Sequence, residues 1–387
     1  PQQLGVGLPS GCQKQIWIAR ILQEMSMLGC NGSEAFSRYS QWVFVKLDQK
    51  NAHNSYKRAA AQRALEAIPG AENFARTHFT TNVHAPALVS HINGQATKVC
   101  ESIEGGQQGN PMVPPAYGAV LNPILKCLDA KLGEDGLVRA IQDDILIAGH
   151  PETIFQHLDG LKAQLRDIGG ELASGPGKNS IYRPSGPLPD GEFPDFLSQT
   201  FHENDGGDKS YGFELCGAAI GSAGFIRHYL SEKVDKIKTL VDQHSDLMSS
   251  RDAQVSHALN RLSWQMKPDY LLATHKPSDI QPFVPVLDEL TRLAVKRSLD
   301  IDPKSPDGDT STAREDSAFS ADRFHQPARH GGSGILRLAD RADTIYVSTL
   351  TDCLPDFIDR TLPTGNTLPG ICTVSYTHLR AHETNQD

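Results

Sequence analysis

Nowhere in this chain do about 18 apolar residues run together, so no membrane-spanning helix is expected. The sequence opens at Pro1 without a basic-then-apolar leader. No secretory signal is therefore expected, and a start at proline rather than methionine leads to the expectation of a fragment. Cysteine is sparse: Cys12, Cys30, Cys100, Cys127, Cys216, Cys353 and Cys372 are odd in number, scattered, and form no Cys-x-x-Cys pair. That usage fits reduced thiols in an intracellular compartment, nucleus or cytoplasm, better than a disulfide framework or a zinc site. Positive charge is in short supply. The net charge of -9 argues against strong non-specific binding to nucleic acid. Its distribution is uneven, with residues 1–100 at +5 and the remainder near -14. A basic first quarter suits a phosphate-facing surface. Carboxylates at a magnesium site would be partly masked by their ions.

What the chain does contain is enough for a sizeable core. Its 387 residues, 39% hydrophobic and 21% charged, are expected of a soluble globular protein with two or three domains. The most informative stretch is Ile141-Gln142-Asp143-Asp144-Ile145-Leu146-Ile147, two adjacent carboxylates inside an apolar run. Residues 137–149 read as two short strands meeting at the acidic pair. Two neighbouring carboxylates repel and are costly to desolvate unless something neutralises them. A divalent cation does so, and carboxylate oxygens suit magnesium or manganese. The alternative is an exposed Asp-Asp hairpin turn.

Upstream, helical spacing of Ile18, Ile21, Leu22, Met25 and Leu28 predicts a helix over 13–28. Residues 41–47 predict a strand that leads directly into Asp48. Asn51 and Asn54 can cap a helix over 56–68, closed by Pro69-Gly70. A loop with three glycines, Glu104 to Pro111, feeds a helix over about 115–132, and another helix follows over about 151–168. Residues 183–210, rich in Pro, Gly and Asp, predict a surface insertion. Beyond Gly212 the pattern turns helical. Leu230, Val234, Ile237 and Val241 share one helix face. A second helix, which Asp252 can cap, carries Val255, Leu259 and Leu262. A third runs over about 286–299. Residues 303–332 are polar and predict a disordered linker.

Asp48 ends a hydrophobic strand. If that strand neighbours the acidic hairpin in one sheet, three carboxylates converge at one edge, where two divalent ions could support phosphoryl transfer. An aspartate at a strand end is otherwise a cap or turn residue. The order of the motifs adds to this. Lys46-Leu47-Asp48-Gln49-Lys50-Asn51-Ala52-His53-Asn54, then Gly106-Gln107-Gln108-Gly109-Asn110-Pro111, then Gln142-Asp143-Asp144, then Gly169-Gly170 through Lys178, resemble the successive A to D motifs of reverse transcriptases. The similarity is greatest to those of non-LTR retrotransposons. Phe213 to Gly221 looks like the strand-turn after motif D, and Arg329 to Ile335 is similar to a downstream glycine-rich segment. The resemblance spans residues 1 to about 350.

The resemblance implies an α+β right-hand polymerase: partial fingers over 1–40, a palm with an antiparallel sheet and packed helices over 41–222, and a helical thumb over 223–302. A C-terminal segment would follow over 333–372, with 373–387 a non-native tail in which His378 and His382 are no metal pair. The implied activity is RNA-directed DNA synthesis, with an RNA template, a DNA primer and deoxynucleoside triphosphates as partners. The implied cofactors are two Mg2+ or Mn2+ ions on Asp48, Asp143, Asp144 and the backbone carbonyl of Gln49. Gln108 and Gly109 would lie against the template base and incoming nucleotide, or belong to an ordinary glycine-rich loop. Lys178 would neutralise pyrophosphate or donate a proton, or be a surface lysine. Two positions depart from the pattern: His53 stands where the family has Phe or Tyr against the ribose 2′-hydroxyl, and Ile141 where Tyr or Phe is common. A decayed, inactive remnant that at most binds RNA is the alternative, and a viral-type RNA polymerase a third possibility.

Overall fold

The computed structural model describes residues 2–5, 8–82, 84–107, 109–204, 206–248, 253–298, 325–330 and 332–361. Gln108, Asp252, most of the expected linker, Cys372 and the 373–387 tail lie outside these residues. The chain divides into two compact units, the first taking in the residues up to Ser222 and the end of the last helix from Asp356, the second Ala223–Pro355. Among the described residues no helix is long and apolar enough to cross a membrane.

In the first unit, in chain order, come α1 (Gly11–Cys30), β1 (Val43–Leu47), α2 (Ala52–Ser55), α3 (Arg58–Glu66), α4 (Glu72–Asn82), β2 (Ala87–Ile92), β3 (Gln95–Glu101), α5 (Val113–Leu132), β4 (Gly136–Ile141), β5 (Asp144–Gly149), α6 (Pro151–Asp167), β6 (Ser180–Tyr182), β7 (Phe201–Glu203), β8 (Lys209–Leu215) and β9 (Ala218–Gly221). The class is α+β with antiparallel sheets. The main sheet has the order β4-β5-β1-β6, and residues 2–4 run beside β4 through Leu4 N–H to Ala140 O at 2.7 Å.

The sequence dictates this sheet through alternation, because successive strand side chains point to opposite faces. Val43, Val45 and Leu47 of β1, Ile145 and Ile147 of β5, and Val138 and Ala140 of β4 form one face. They bury against α5 and α6 through Leu121, Leu125, Leu158, Leu161 and Leu165. Phe44 lies on the other face, where its ring meets Tyr182 at 6.2 Å, and Tyr182 meets Phe213 at the same distance. Both faces are covered at Val43–Val45, so β1 opens as a continuous apolar run that breaks only at Lys46. Helix α1 buries Ile18, Ile21, Leu22 and Met25 of the face its spacing predicts, while Leu28 of the same set is exposed.

Three features differ from the sequence-based expectation. Residues 183–210 are not simply a surface insertion: Leu188 and Leu197 enter the core, and Phe201–Glu203 pairs with β8. Two buried leucines in a Pro- and Gly-rich stretch have no period to reveal them. Asn51 sits at the N-cap of α2 but makes no side-chain cap; it accepts instead from Asn54 Nδ2 at 2.7 Å. The β2–β3 ribbon was not anticipated, although its Asn93-Gly94 turn, both φ positive, is the strongest short-range hairpin signal.

The second unit is helical: α7 (Ala223–Met248), α8 (Ala253–Leu262), α9 (Asp269–Thr274), α10 (Pro277–Ile280), α11 (Val284–Ser298) and α12 (Leu338–Thr361) as far as Pro355. Leu230, Val234 and Val241 of α7 are buried, as are Leu287, Leu290 and Val295 of α11. Helix α8 runs counter to expectation. Its apolar Val255, Leu259 and Leu262 are exposed, while Ser256 and Asn260 are buried. Asn260 Nδ2 reaches Ala294 O on α11 at 3.4 Å, so a polar contact faces inward where the apolar stripe does not.

Candidate active site

The β1–β5 register decides what meets at the sheet end. Leu47 pairs with Ile145, and one further step places Asp48 opposite Asp144. Alternation then puts Lys46, Asp48 and Asp144 on the sheet face away from the α5–α6 core. Asp143 sits beside them in the two-residue turn between β4 and β5. Asp48 is thus brought to the same end of the sheet as the adjacent pair Asp143 and Asp144.

Asp48 is fixed from three directions. Its N–H donates to Asn179 Oδ1 at 3.1 Å, its carbonyl accepts from Ala173 N–H at 2.8 Å, and its Oδ2 accepts from Lys178 Nζ at 2.7 Å. Asn179 is buried and holds the loop in turn, donating from Nδ2 to Ala173 O at 2.6 Å. Asp144 has Lys46 Nζ at 3.7 Å from Oδ1, and its carbonyl accepts from Gln15 Nε2 at 3.4 Å.

Gln49 lies on the opposite face. It is buried, and its Oε1 accepts from the Tyr117 hydroxyl at 2.6 Å, while its Nε2 lacks a partner. Lys50 N–H donates to Glu171 O and Ala173 N–H to Asp48 O, an antiparallel bridge flanking Gln49 and Leu172. In that pattern the N–H and C=O of Gln49 itself point to the other side, toward β5. His53 stands over the acidic turn: its Nε2 lies 3.2 Å from Gln142 Oε1, and its ring centroid 5.3 Å from that of Tyr117. Gln142 has a φ of 54°, costly for a residue with a Cβ by roughly 1–3 kcal/mol. Gln3 over-determines it, accepting from Gln142 N–H at 2.8 Å and donating to Gln142 O at 3.2 Å.

The glycine loop docks through its first half. Gly105 N–H donates to Tyr56 O at 2.8 Å and Gly106 N–H to His53 O at 2.7 Å. Gly109 is exposed, in a turn with φ 88°. Sequence reasoning missed Asn179, Tyr117, Gln142, Gln3 and Gln15. Two of them had a visible signal, Gln142 inside the acidic motif and Asn179 directly after Lys178. The others are recognisable only by their contacts.

The electrostatics follow from this crowding. Burial pushes the Asp144 carboxyl above the usual carboxylate range, Lys46 pulls it back, and the charges of Asp143 and Asp48 push it up again. The hydrogen bond to Asp48, and that carboxylate's charge, raise the Lys178 ammonium. Burial raises the Tyr117 hydroxyl, with Asp143 adding to it.

Among the described residues no group of three or more His, Cys, Asp or Glu side chains is gathered so that it could hold a metal ion. Lys178 Nζ lies 2.7 Å from Asp48 Oδ2, and Lys46 Nζ 3.7 Å from Asp144 Oδ1. The donors are nevertheless of the right kind, carboxylate oxygens and a backbone carbonyl, a set that suits a hard cation. Both lysines are partners that an ion could displace by side-chain rotation.

Asp144 also yields a stability prediction. Its folded-state value is the raised one, so ionising it opposes folding. That cost is absent below the ordinary carboxylate value of 3.8, grows as pH rises through the folded-state value, and is complete above it. Asparagine stands in for the protonated carboxyl. In chelator-containing buffer Asp144→Asn should therefore melt higher than the parent near neutral pH, with the gap closing in acid. A variant that melts lower at every pH would contradict this.

No protein-family profile matches the chain, and no curated protein matches it. Two telomerase structures are similar to it. Apo telomerase from Candida tropicalis is 10% identical over 89% of this chain, with a TM-score of 0.41. Telomerase from Candida albicans, in complex with a TWJ fragment of telomeric RNA, is 10% identical over 89%, with a TM-score of 0.30. The chain spans about half of either, 55% and 53%. Likenesses this distant carry no argument about what the chain does.

Proposed function

We propose that the chain is the core of a template-directed polymerase, an RNA-directed DNA polymerase of the non-LTR retrotransposon type. In this reading the 41–222 segment is its palm, residues 1–40 part of its fingers and 223–302 its thumb. One observation carries the reading: the sheet register that sets Asp48 opposite Asp144 with Asp143 in the adjoining turn. The substrates are an RNA template, a DNA primer with a free 3′-hydroxyl and deoxynucleoside triphosphates.

Asp48, Asp143, Asp144 and the Gln49 carbonyl would hold two Mg2+ or Mn2+ ions, which when bound polarise phosphoryl oxygens and activate the attacking hydroxyl. The chain's own residues do the positioning. Asn179 and Ala173 fix the backbone of Asp48, so its carboxylate is presented without a search for its rotamer's base. Tyr117 locks the Gln49 side chain into the core, so it is the backbone carbonyl that would face an ion. Lys178, whose proton Asp48 holds more tightly than usual, is a standing positive charge at neutral pH. That suits neutralising a leaving pyrophosphate more than donating a proton to it. His53, steadied by Gln142, presents a ring edge where the ribose would pass.

The test is extension of a DNA primer on an RNA template with magnesium, run with deoxynucleotides and ribonucleotides in parallel. The chain should incorporate deoxynucleotides in preference, and Asp143→Ala should abolish incorporation. Equal extension by that variant removes the mechanism. A well-folded parent that never extends points to the inactive remnant, and preference for ribonucleotides to an RNA polymerase.

A further inference from the structure

The loop that fixes Asp48 also walls a second recess. It is a cavity of about 710 Å3 between the end of α6, residues 171–177 and residues 195–201. None of Asp48, Asp143, Asp144 and Lys178 lines it. Its size falls in the range of small-ligand sites, about 300–1,000 Å3.

The lining holds donors that nothing uses. Among the described residues the Arg166 guanidinium, the Ser174 hydroxyl and the N–H groups of Ser174, Gly175 and Gly177 have no hydrogen-bond or charge partner. Gly175 and Gly177 have φ of 117° and 72°, and a Cβ on either would meet nothing within 4 Å. Glycine here serves the turn and leaves the amides open, rather than making room for a packed neighbour. Successive unpaired amides in such a turn make an anion cradle. One turn before Arg166, and so on the same face of α6, stands Lys162. Its Nζ lies 4.3 Å from the Phe196 ring centroid and 3.4 Å from Asp159 Oδ1.

Charge then selects the ligand. Two cations beside free amides match one phosphate monoester, about -2 near neutral pH. A triphosphate brings more charge than they can meet. Of the two carboxylates in the lining, Glu171 is paired with Lys50 at 3.9 Å. Asp195 has no partner among the described residues, and a carboxylate that only accepts suits the hydroxyls of a ribose. The apolar part of the lining includes the rings of Phe196 and Phe201, the latter 38% exposed. Aromatic side chains of this kind stack a nucleobase.

We propose that this recess is a second, metal-independent nucleotide site that takes a nucleoside monophosphate. Its phosphate sits on Arg166, Lys162 and the amides of Ser174, Gly175 and Gly177, and its base lies against Phe196 and Phe201. The recess shares residues with the acidic rim, since Ala173 and Asn179 both line it and both hold the backbone of Asp48. Binding rests on the recess alone; any effect on synthesis rests also on the polymerase reading.

The test is calorimetric titration of the full chain with AMP, adenosine and inorganic phosphate. Chelator is present throughout, so that the acidic rim holds no metal-bound nucleotide. AMP should bind at one site per chain, and adenosine and phosphate each about tenfold more weakly or worse. Arg166→Gln, a change at an exposed side chain, should weaken AMP by about tenfold or more and leave adenosine unaffected. Hydrogen exchange with AMP bound should slow in residues 171–179. The proposal is overturned if AMP fails to bind or binds no better than phosphate. It is equally overturned if Arg166→Gln takes AMP as the parent does, or if residues 171–179 gain no protection. Primer extension with magnesium and no AMP is scored separately. Its absence counts against the polymerase reading and leaves the AMP titration as it stands.

Discussion

Asp48→Asn should reduce primer extension by at least about a thousandfold while leaving the fold in place. A thousandfold is about 4 kcal/mol, the scale of the charge stabilisation that a metal-held phosphoryl transfer draws from its ligands. Asparagine matches aspartate in shape and keeps the backbone contacts that hold position 48, the N–H to Asn179 Oδ1 and the carbonyl from Ala173 N–H. What it removes is the charge. The ion pair lost with Lys178 joins a half-exposed ammonium to a carboxylate and is worth little to stability in water. The melting temperature should therefore move by no more than a few degrees. Activity that survives in this variant would show that Asp48 is only the end of a strand. Activity and fold lost together would show that it is a structural residue.

The second large effect is on stability. Gly105→Ala should cost about 3 kcal/mol, lowering the melting temperature by about 6–12 °C for a unit of this size. At φ 59° an added Cβ would lie 2.2 Å from the carbonyl carbon of Asn54. The loop has nowhere to retreat, because the Gly105 and Gly106 N–H groups are tied to Tyr56 O and His53 O. On the far side a Cβ on Gly106 would already lie 2.0 Å from Val113. Gly109→Ala is the control: its φ is also positive at 88°, but nothing lies within 4 Å of the added carbon. That variant should lose only the strain, about 1 kcal/mol. Comparable melting of the two variants would contradict the docking of this loop on α2.

How far the sequence carried can be read residue by residue. Apolar alternation and strand-ending aspartates made the two halves of the acidic rim visible, at Leu47-Asp48 and at Asp143-Asp144. Their adjacency was a conditional, and only the antiparallel pairing of β1 with β5 supplies it. The anchors were not legible for a physical reason. Asn179 meets Asp48, and Gln3 meets Gln142, across more than a hundred residues, by single polar contacts that leave no period behind. Tyr117 lies on an apolar helix face, where an aromatic ring looks like core and its hydroxyl is unremarkable until Gln49 is placed opposite. The exposed stripe of α8 shows the converse. Correct helical spacing of Val255, Leu259 and Leu262 names a face, but the residue seen to reach α11 is Asn260. Lys46 and Lys178 likewise meet Asp144 and Asp48 by single polar contacts.

Manganese binding, followed by electron paramagnetic resonance with a deoxynucleoside triphosphate present, addresses the carboxylate rim itself. The parent chain should take up two ions, and Asp48→Asn and Asp143→Asn should each lose binding by tenfold or more relative to nucleotide alone. Identical titrations for the parent and both variants would mean that these side chains seat no metal, and the account of the site would fall with them.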